Sequence, residues 1–285
     1  MKQNDNDKLS DYTDSKQLII QKSNPLLSLS ETGMSLFELK LLDLYLSRID
    51  SHNPEKRKVR FEKGEIEKLF GVNRIKKEIL DKKLDGLFSS VSVKDKSKPQ
   101  GFIKMSLFET AAAYLDENGN WLVDLSCSPM AMEYIFNIEN MGYLRYRLKD
   151  VASFSSRHSY VLYLYLLDNR FRKTWEIEFS ELKNLLRCNS ENYKEFRFFN
   201  RDVLKKAQKE IHEKTELSFS YQTIFVNRRI KRIAFTIISA PNYLEKQEFA
   251  SENIIDITLS ETEESDQQND HKYTFCDSLR IMLYN

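Results

Sequence analysis

The sequence predicts an α+β fold of two tandem winged-helix domains, each a helix-turn-helix followed by a β-hairpin wing. Three observations support this prediction: the same order of elements occurs twice, a basic loop lies in each hairpin, and glycine (7) and proline (5) are scarce among 285 residues. Scarce glycine and proline favour helices with short connections over a turn-rich β-sandwich. The duplication is visible in two matched segments, Val59-x-Phe61 with Glu65-Ile66-x-x-Leu69-Phe70 and Ile177-x-Phe179 with Glu181-Leu182-x-x-Leu185-Leu186.

The first copy begins with a helix at Ser35, because Ser35 and Glu38 form an S-x-x-E capping box. The elements expected after it are a strand at 59–61, a short helix from Glu62 to Phe70 ending at Gly71, a longer helix that Asn73 caps and that runs to about Leu87, and hairpin strands at 88–93 and 102–107. A helix, a short turn containing glycine and a second helix make a helix-turn-helix. Asn118-Gly119 predicts a hairpin turn before a strand at 121–125, and a helix is expected from Ser128 to Phe136.

The second copy repeats this order after residue 155. The expected elements are a helix at 156–169, a strand at 175–179, a short helix capped by Ser180 and ending at Leu186, a long helix from Tyr193 to about Lys214, and hairpin strands at 217–225 and 230–238. The pattern therefore predicts four segments: a mobile arm at 1–24, a first winged helix at 25–140, a second at 141–240, and an acidic, mostly disordered tail at 241–285.

Charge is divided unevenly between these segments. The tail contains ten acidic and three basic residues, so a chain of net charge +1 carries +8 in residues 1–240. A basic body with an acidic tail is typical of a protein whose partner is a polyanion. This signal is weak by itself, because many soluble domains carry such a charge.

The long helix of the second copy has one apolar and one basic side. Residues rotate by about 100° each, so Phe196, Phe199, Val203, Ala207 and Ile211 share one side and Lys194, Arg197, Arg201 and Lys205 the opposite one. The acids Glu195 and Asp202 lie at a flank, outside the basic stripe. A stripe of one sign repels itself unless something negative meets it. Arginines on such a stripe can bind guanine edges and lysines can neutralise phosphates, so we expect this helix to read double-stranded DNA. A merely solvated face is the alternative.

Both wings are basic, but the first long helix is not. The second wing contains Asn227, Arg228, Arg229 and Lys231, which we expect to contact DNA. In the first copy, Arg74 and Lys77 are mixed with Glu78, Asp81 and Asp85, and those carboxylates would repel phosphate. Arg74, Lys77 and the first-wing lysines Lys94, Lys96 and Lys98 are therefore expected to contact the DNA backbone rather than bases. The first domain is expected to contribute phosphate contacts or a protein interface.

Catalytic and metal-binding motifs are missing from the sequence. The cysteines are three and far apart, which predicts packing residues rather than a disulfide framework or zinc site. No two of the four histidines lie within two residues of each other, so the His-x-His site of a nicking enzyme is absent, as is a GxxxxGK[ST] loop for ATP. We expect a protein that is not an enzyme, needs no cofactor or metal, spans no membrane and is located in the cytoplasm.

The residues of the second copy resemble the initiator replication proteins of iteron-controlled, theta-replicating plasmids, and the likeness extends from about Leu29 to Ile238. Its most specific stretch is Tyr193-Lys194-Glu195-Phe196-Arg197-Phe198-Phe199, continued by Leu217-x-Phe219-x-Tyr221 and Arg229-x-Lys231-x-Ile233-x-Phe235-x-Ile237. The resemblance implies that the C-terminal winged helix reads repeated origin sites, while the N-terminal one supports dimerisation and backbone contact. It also implies origin opening by monomers, repression by dimers, and host replication proteins as partners.

Two other functions remain open from sequence alone. A winged-helix transcriptional regulator shares the fold and the contacts, and a preference for tandem direct repeats over one palindrome would argue against it. A nicking initiator is disfavoured by the missing metal site. The acidic tail is not part of the resemblance; we expect it either to fold back on Lys194, Arg201, Arg228 and Arg229 or to act as a solubilising segment.

Overall fold

The computed structural model describes residues 18–62, 64–69, 71–94 and 101–239, so the predicted acidic tail lies outside the described residues. Two helix-turn-helix units, each with a β-hairpin, confirm the predicted fold class. The first unit contains β1 (Ile19–Ser23), α1 (Asn24–Leu27), α2 (Leu36–Leu46), β2 (Lys58–Phe61), α3 (Glu65–Leu69), α4 (Lys77–Leu87), β3 (Val91–Lys94), β4 (Phe102–Met105), β5 (Phe108–Leu115), β6 (Trp121–Cys127), α5 (Pro129–Phe136), α6 (Ile138–Met141), β7 (Tyr143–Arg147) and α7 (Leu148–Ala152). The second contains α8 (Arg157–Asp168), β8 (Thr174–Glu178), α9 (Phe179–Leu185), α10 (Phe196–Phe199), α11 (Lys205–Lys214), β9 (Leu217–Val226) and β10 (Arg229–Ser239). Within the ranges given above, no helix is long and apolar enough to cross a membrane.

Helix α2 forms the centre of the first unit. It begins at the predicted capping box, in which the Ser35 hydroxyl accepts a hydrogen bond from the Glu38 N–H and the Glu38 carboxylate accepts one from the Ser35 N–H. It packs against β1, α4 and α7, and Tyr45 meets the ring of Phe108 edge to face. The sheet has the order β2-β6-β5, and the Asn118-Gly119 turn joins its last two strands, with Gly119 at φ +77°. A positive φ suits glycine, so the predicted hairpin turn is confirmed.

The prediction that residues 1–24 form a mobile arm is wrong for residues 19–23. Strand β1 pairs antiparallel with β7, so that Ile19 lies opposite Arg147, and the side chain of Ile20 is fully buried. Lys22 is buried as well, with its Nζ 2.9 Å from the Oδ1 of Asp43. Three of the five residues in the segment Ile-Ile-Gln-Lys-Ser are polar, and the ion-pair partner of Lys22 lies 21 residues away, so the burial of this segment was not apparent from the pattern.

Asp43 is the centre of a buried polar cluster that joins four elements. Lys22, Tyr146 and Tyr160 surround its carboxylate, and the two tyrosine hydroxyls donate hydrogen bonds to it at 2.9 and 2.6 Å. Burial, followed by the charge of Asp43, raises the pKa of both tyrosines well above the ordinary value. Both hydroxyls therefore stay protonated and act as donors. This Asp43 cluster connects β1, α2, β7 and α8.

The expected division between residues 140 and 141 falls before strand β7, which pairs with β1 and so belongs to the first unit. Helix α8 contacts both units, because Tyr160 belongs to the Asp43 cluster while the helix also packs on α11. A further link is Arg147, whose guanidinium lies 3.1 Å from Asp150 and 2.7 Å from Glu216, the residue just before β9. The boundary predicted at 140/141 is therefore too early.

Two helices of the helix-turn-helix units begin elsewhere than predicted. Helix α4 begins at Lys77, with Lys76 as its N-cap residue, instead of following Asn73. The indole N–H of Trp121 donates to the Ile75 carbonyl at 2.7 Å, which holds the preceding loop outside the helix. Helix α9 begins at Phe179 after Glu178, and Ser180 lies inside it rather than at its cap.

Candidate nucleic-acid interface

The recognition helix of the second unit is not the single regular helix predicted from Tyr193. A 3₁₀ turn at Glu191–Tyr193 precedes α10, and a π turn at Asn200–Leu204 joins α10 to α11. Glu195 has an extended backbone and is the N-cap residue, so Lys194 precedes the helix instead of lying on it. Phe179 of α9 packs edge to face on Phe196 and Phe199, which fixes where the helix begins.

The apolar side of this helix is as predicted. Phe199, Val203, Ala207 and Ile211 are buried, and Phe196 packs partly buried against the same core. Helix α11 packs on strand β9 of the sheet of order β8-β10-β9. Glu210 lies on this side too, and it accepts hydrogen bonds from the Ser155 N–H at 2.6 Å and from Lys214 at 2.6 Å. Burial alone would raise the pKa of Glu210, but these hydrogen bonds outweigh it and lower the pKa to about 2.

The cations on the basic side of this helix are paired with acidic residues, although a stripe of one charge sign was predicted. Arg197 lies 2.8 Å from Glu195 and Arg201 lies 2.7 Å from Asp202, while Lys194 contacts Glu191 at 2.5 Å. The prediction that acids stay outside the stripe is therefore wrong. All three cations remain largely exposed, however, and ion pairs at such positions are weak, so a phosphate or a base edge can replace the carboxylate.

Phe198 belongs to this surface but was not among the residues predicted to contact DNA. Its half-buried ring lies 4.5 Å from the guanidinium carbon of Arg197 and 5.3 Å from that of Arg201. Contacts of a guanidinium with an aromatic ring are attractive and restrict the side chain. Phe198 therefore orients the two arginines that we expect to read bases. An aromatic residue next to Arg197 and three positions before Arg201 is the sequence signal that could have identified it.

The wing points toward the N-terminal end of the recognition helix. Gln208 of α11 donates to the carbonyl of Phe219 at 2.7 Å, and farther along β9 the hydroxyl of Tyr221 donates to the side chain of Asn200. Strand β9 therefore runs antiparallel to the helix, and its continuation to the wing tip passes the end that carries Arg197.

The wing tip is a two-residue turn of Asn227 and Arg228. Both residues have positive φ, +50° and +61°, and Val226 pairs with Arg229 across the turn. This is the backbone of a type I′ hairpin, whose twist matches that of the strands. The tip thereby places Arg228 and Arg229 at the end of the domain where Arg197 and Arg201 lie.

The cations of the wing are not equivalent. Lys231 lies 3.1 Å from Glu178, and Arg232 contacts Glu178 at 3.0 Å and Glu176 at 3.3 Å. Although burial would raise the pKa of Glu178, hydrogen bonds from Lys231 and Arg232 lower it. Within the part of the chain that the structure describes, Arg228 and Arg229 form no ion pair with a carboxylate. The tip therefore carries the wing's unneutralised charge.

The described contact residues predicted for the first unit lie on three different elements. Arg74 is exposed in the loop before α4, Lys77 is the first residue of α4, and Lys94 ends β3. Lys96 and Lys98 lie outside the described residues. Glu78, Asp81 and Asp85 are exposed on α4, as expected of a helix with mixed charge.

Over the described ranges, no three histidine, cysteine or acidic side chains lie close enough to hold a metal ion. The sulfur of Cys188 lies 3.4 Å from the Nε2 of His158; Cys188 is buried and His158 is partly buried. Burial raises the pKa of the Cys188 thiol to about 11, so this thiol is protonated at neutral pH.

A recognition helix and a wing that present arginines at one end of a winged helix define a DNA-binding protein. Two family models match the chain: one described as Initiator Replication protein, WH1, matches residues 19–167, and one described as Initiator Rep protein, WH2, matches residues 178–237. The chain belongs to this family of initiator replication proteins, as the resemblance predicted. It is a plasmid replication initiator, and a transcriptional regulator without an initiator role is not favoured.

The fold is similar to that of a solved initiator. The structure described as the crystal structure of Pi initiator protein in complex with iteron DNA matches with a TM-score of 0.63 and 22% sequence identity, covering 79% of this chain and 99% of that chain. A search of curated proteins found no match.

Proposed function

We propose that this initiator binds the repeated sites of a plasmid origin through its second winged helix and thereby promotes opening of the origin. The observation that carries the proposal is the pair Arg197 and Arg201, held against Phe198 at the end of the domain toward which the wing tip extends. Arginine binds guanine through two hydrogen bonds, each good contact discriminating by roughly 1–3 kcal/mol. The iteron DNA bound by the Pi initiator, a protein of similar fold, supports this assignment.

The other predicted residues are assigned to the DNA backbone. Lys194, Lys205, Asn227 and Lys231 flank the arginines of the second unit, and Arg74, Lys77, Lys94, Lys96 and Lys98 belong to the first. If the DNA duplex passes along both units, the cations of both can contact its phosphates. The acidic side chains of α4 would repel the phosphates on either side of a DNA groove, so we assign no base contact to the first unit.

We further propose that the first unit forms a homodimer in equilibrium with the monomer. Strand β5 is an edge of its sheet and exposes Tyr114 and Leu115 by more than half of their surface. Beside it lies a groove of about 220 Å³ between α4 and β5, with Leu80, Leu84 and Trp121 among its lining residues. An unpaired strand edge with apolar side chains favours pairing with a second copy.

We also propose that the protein acts in the cytoplasm by binding alone, without cutting DNA, and recruits host replication proteins to the opened origin. The absence of a His-x-His pair and of a phosphate-binding loop in the sequence supports a role without catalysis. Incubation of the protein with supercoiled plasmid and magnesium should leave the plasmid uncut, and relaxed circles would contradict this part of the proposal.

Fluorescence anisotropy with the direct repeats of the origin and with a shuffled duplex tests the main proposal. Arg197→Ala with Arg201→Ala should remove the preference for the repeat. The matched control is Lys206→Ala with Lys209→Ala, two lysines of the same helix that contact Asp202 and Glu213. The control should weaken binding to both duplexes alike and keep the preference. Unchanged preference in the arginine variant would contradict base reading by this helix.

A further inference from the structure

A second cluster of cations lies at the end of the second unit that is far from the wing. Arg170, Phe171, Arg172 and Lys173 follow α8 after Asn169, and Phe171 is 60% exposed. The guanidinium carbon of Arg172 lies 5.2 Å from the Phe171 ring and 3.9 Å from that of Trp175. We call residues 170–173 the distal patch.

The strand register fixes how far this patch is from the DNA-binding end. Thr174 pairs with Thr236 of β10, and the Ile237 N–H donates to the Lys173 carbonyl at 2.7 Å. Arg229 at the wing begins the same strand, so roughly 30 Å of β-strand separates the wing tip from the patch at about 3.3 Å per residue. The proposed DNA contacts therefore make no use of the distal patch.

The distal patch lies where the acidic end of the chain begins. Strand β10 ends at Ser239, two residues beyond the bond to Lys173, and the neighbouring Ile238 is 56% exposed. The following stretch, residues 243–252, contains Glu245, Glu248 and Glu252 against one base, and also the apolar residues Tyr243, Leu244 and Phe249. Its composition is complementary to a patch of cations around an exposed aromatic ring.

We propose that residues 243–252 dock on the distal patch. Only three residues separate Ser239 from Tyr243, and a short tether gives an effective concentration in the millimolar range. Arg170 and Lys173 form no ion pair with a carboxylate of the described residues, whereas Lys194 and Arg201 already contact their own acids. Acids near the start of the tail therefore gain more at the distal patch than on the recognition helix. Docking there keeps them away from the DNA-binding end.

Amide ¹⁵N relaxation of the full chain, without DNA, tests this inference. We expect residues 243–252 to show order parameters near those of a rigid backbone, about 0.85, and to fall below about 0.6 in Arg170→Glu with Lys173→Glu. These two substitutions leave Arg172 on Trp175, and unchanged amide shifts in β8 and β10 would show that the domain is still folded.

The matched control is Arg197→Glu with Arg201→Glu, which reverses the charge of the two arginines on the recognition helix. It should leave the order parameters of residues 243–252 unchanged. Two results would overturn the inference: low order parameters for this segment in the unaltered chain, or release of the segment by the control instead of by the distal-patch variant.

Discussion

Removing the two tip arginines of the wing should change the salt dependence of DNA binding by a calculable amount. Each phosphate contact contributes about 0.9 to the slope of log K against log salt concentration, so Arg228→Ala with Arg229→Ala should reduce the slope by about 1.8. The affinity that the variant loses relative to the original protein is therefore about tenfold smaller at 0.2 M salt than at 0.05 M salt. Alanine has a Cβ as arginine does, so the conformational free energy of the positive φ at position 228 is about the same in the variant as in the original hairpin.

Anisotropy titrations at four salt concentrations, on the origin repeat and on a random duplex, measure this effect. The matched control is Lys231→Ala with Arg232→Ala, because Glu178 and Glu176 already neutralise those cations in the free protein. We expect a clearly smaller slope change from the control pair. Equal changes from the two pairs would refute the distinction between tip and strand cations. An unchanged slope with altered base preference would mean that the tip reads sequence instead of phosphate.

Three further predictions concern the recognition helix. Phe198→Ala should weaken binding to the origin repeat by roughly 1 kcal/mol, the value of one or two exposed guanidinium–ring contacts, and leave binding to a random duplex unchanged in the same titration. Asp202→Asn removes the acid that contacts Arg201, so non-specific binding should become tighter at low salt, with the difference vanishing at high salt; equal affinities at low salt would contradict this. Glu210 has its pKa lowered from 4.5 to about 2, so it contributes at most about 3 kcal/mol of stability that is present above pH 4.5 and lost as the pH falls toward 2. Urea unfolding at several pH values should show this dependence in the original chain and a weaker one in Glu210→Gln.

The periodicity of apolar residues predicted which face of each helix is buried, but not where each helix begins. Val203, Ala207 and Ile211 lie four residues apart, and this spacing is sufficient to place them on one side. The start at Phe196 depends on packing against Phe179, and the start at Lys77 depends on a hydrogen bond from Trp121 to Ile75. Such contacts join residues far apart in the sequence, so local pattern does not reveal them.

The charge pattern of the recognition helix was predicted only in part, for a related reason. Charged side chains on a helix are expected to pair when they lie three or four residues apart. This rule does not cover the ion pair of Arg201 with Asp202 or that of Arg197 with Glu195 at the N-cap. Long arginine side chains reach these close neighbours beside a helix start and a π turn. Phe198 was missed because it is neither in the apolar row nor charged.

The Asp43 cluster determines how much of the chain is needed for folding. A shortened protein that begins at residue 25 would retain both helix-turn-helix units but would lack Lys22, and the carboxylate of Asp43 is fully buried. Leaving such a charge without its partner costs about 3–5 kcal/mol, a large part of the 5–15 kcal/mol that usually stabilises a native protein. Shortened versions for biophysical work should therefore begin before Ile19, since a few residues ahead of the first helix supply the counter-charge for the core of the following domain.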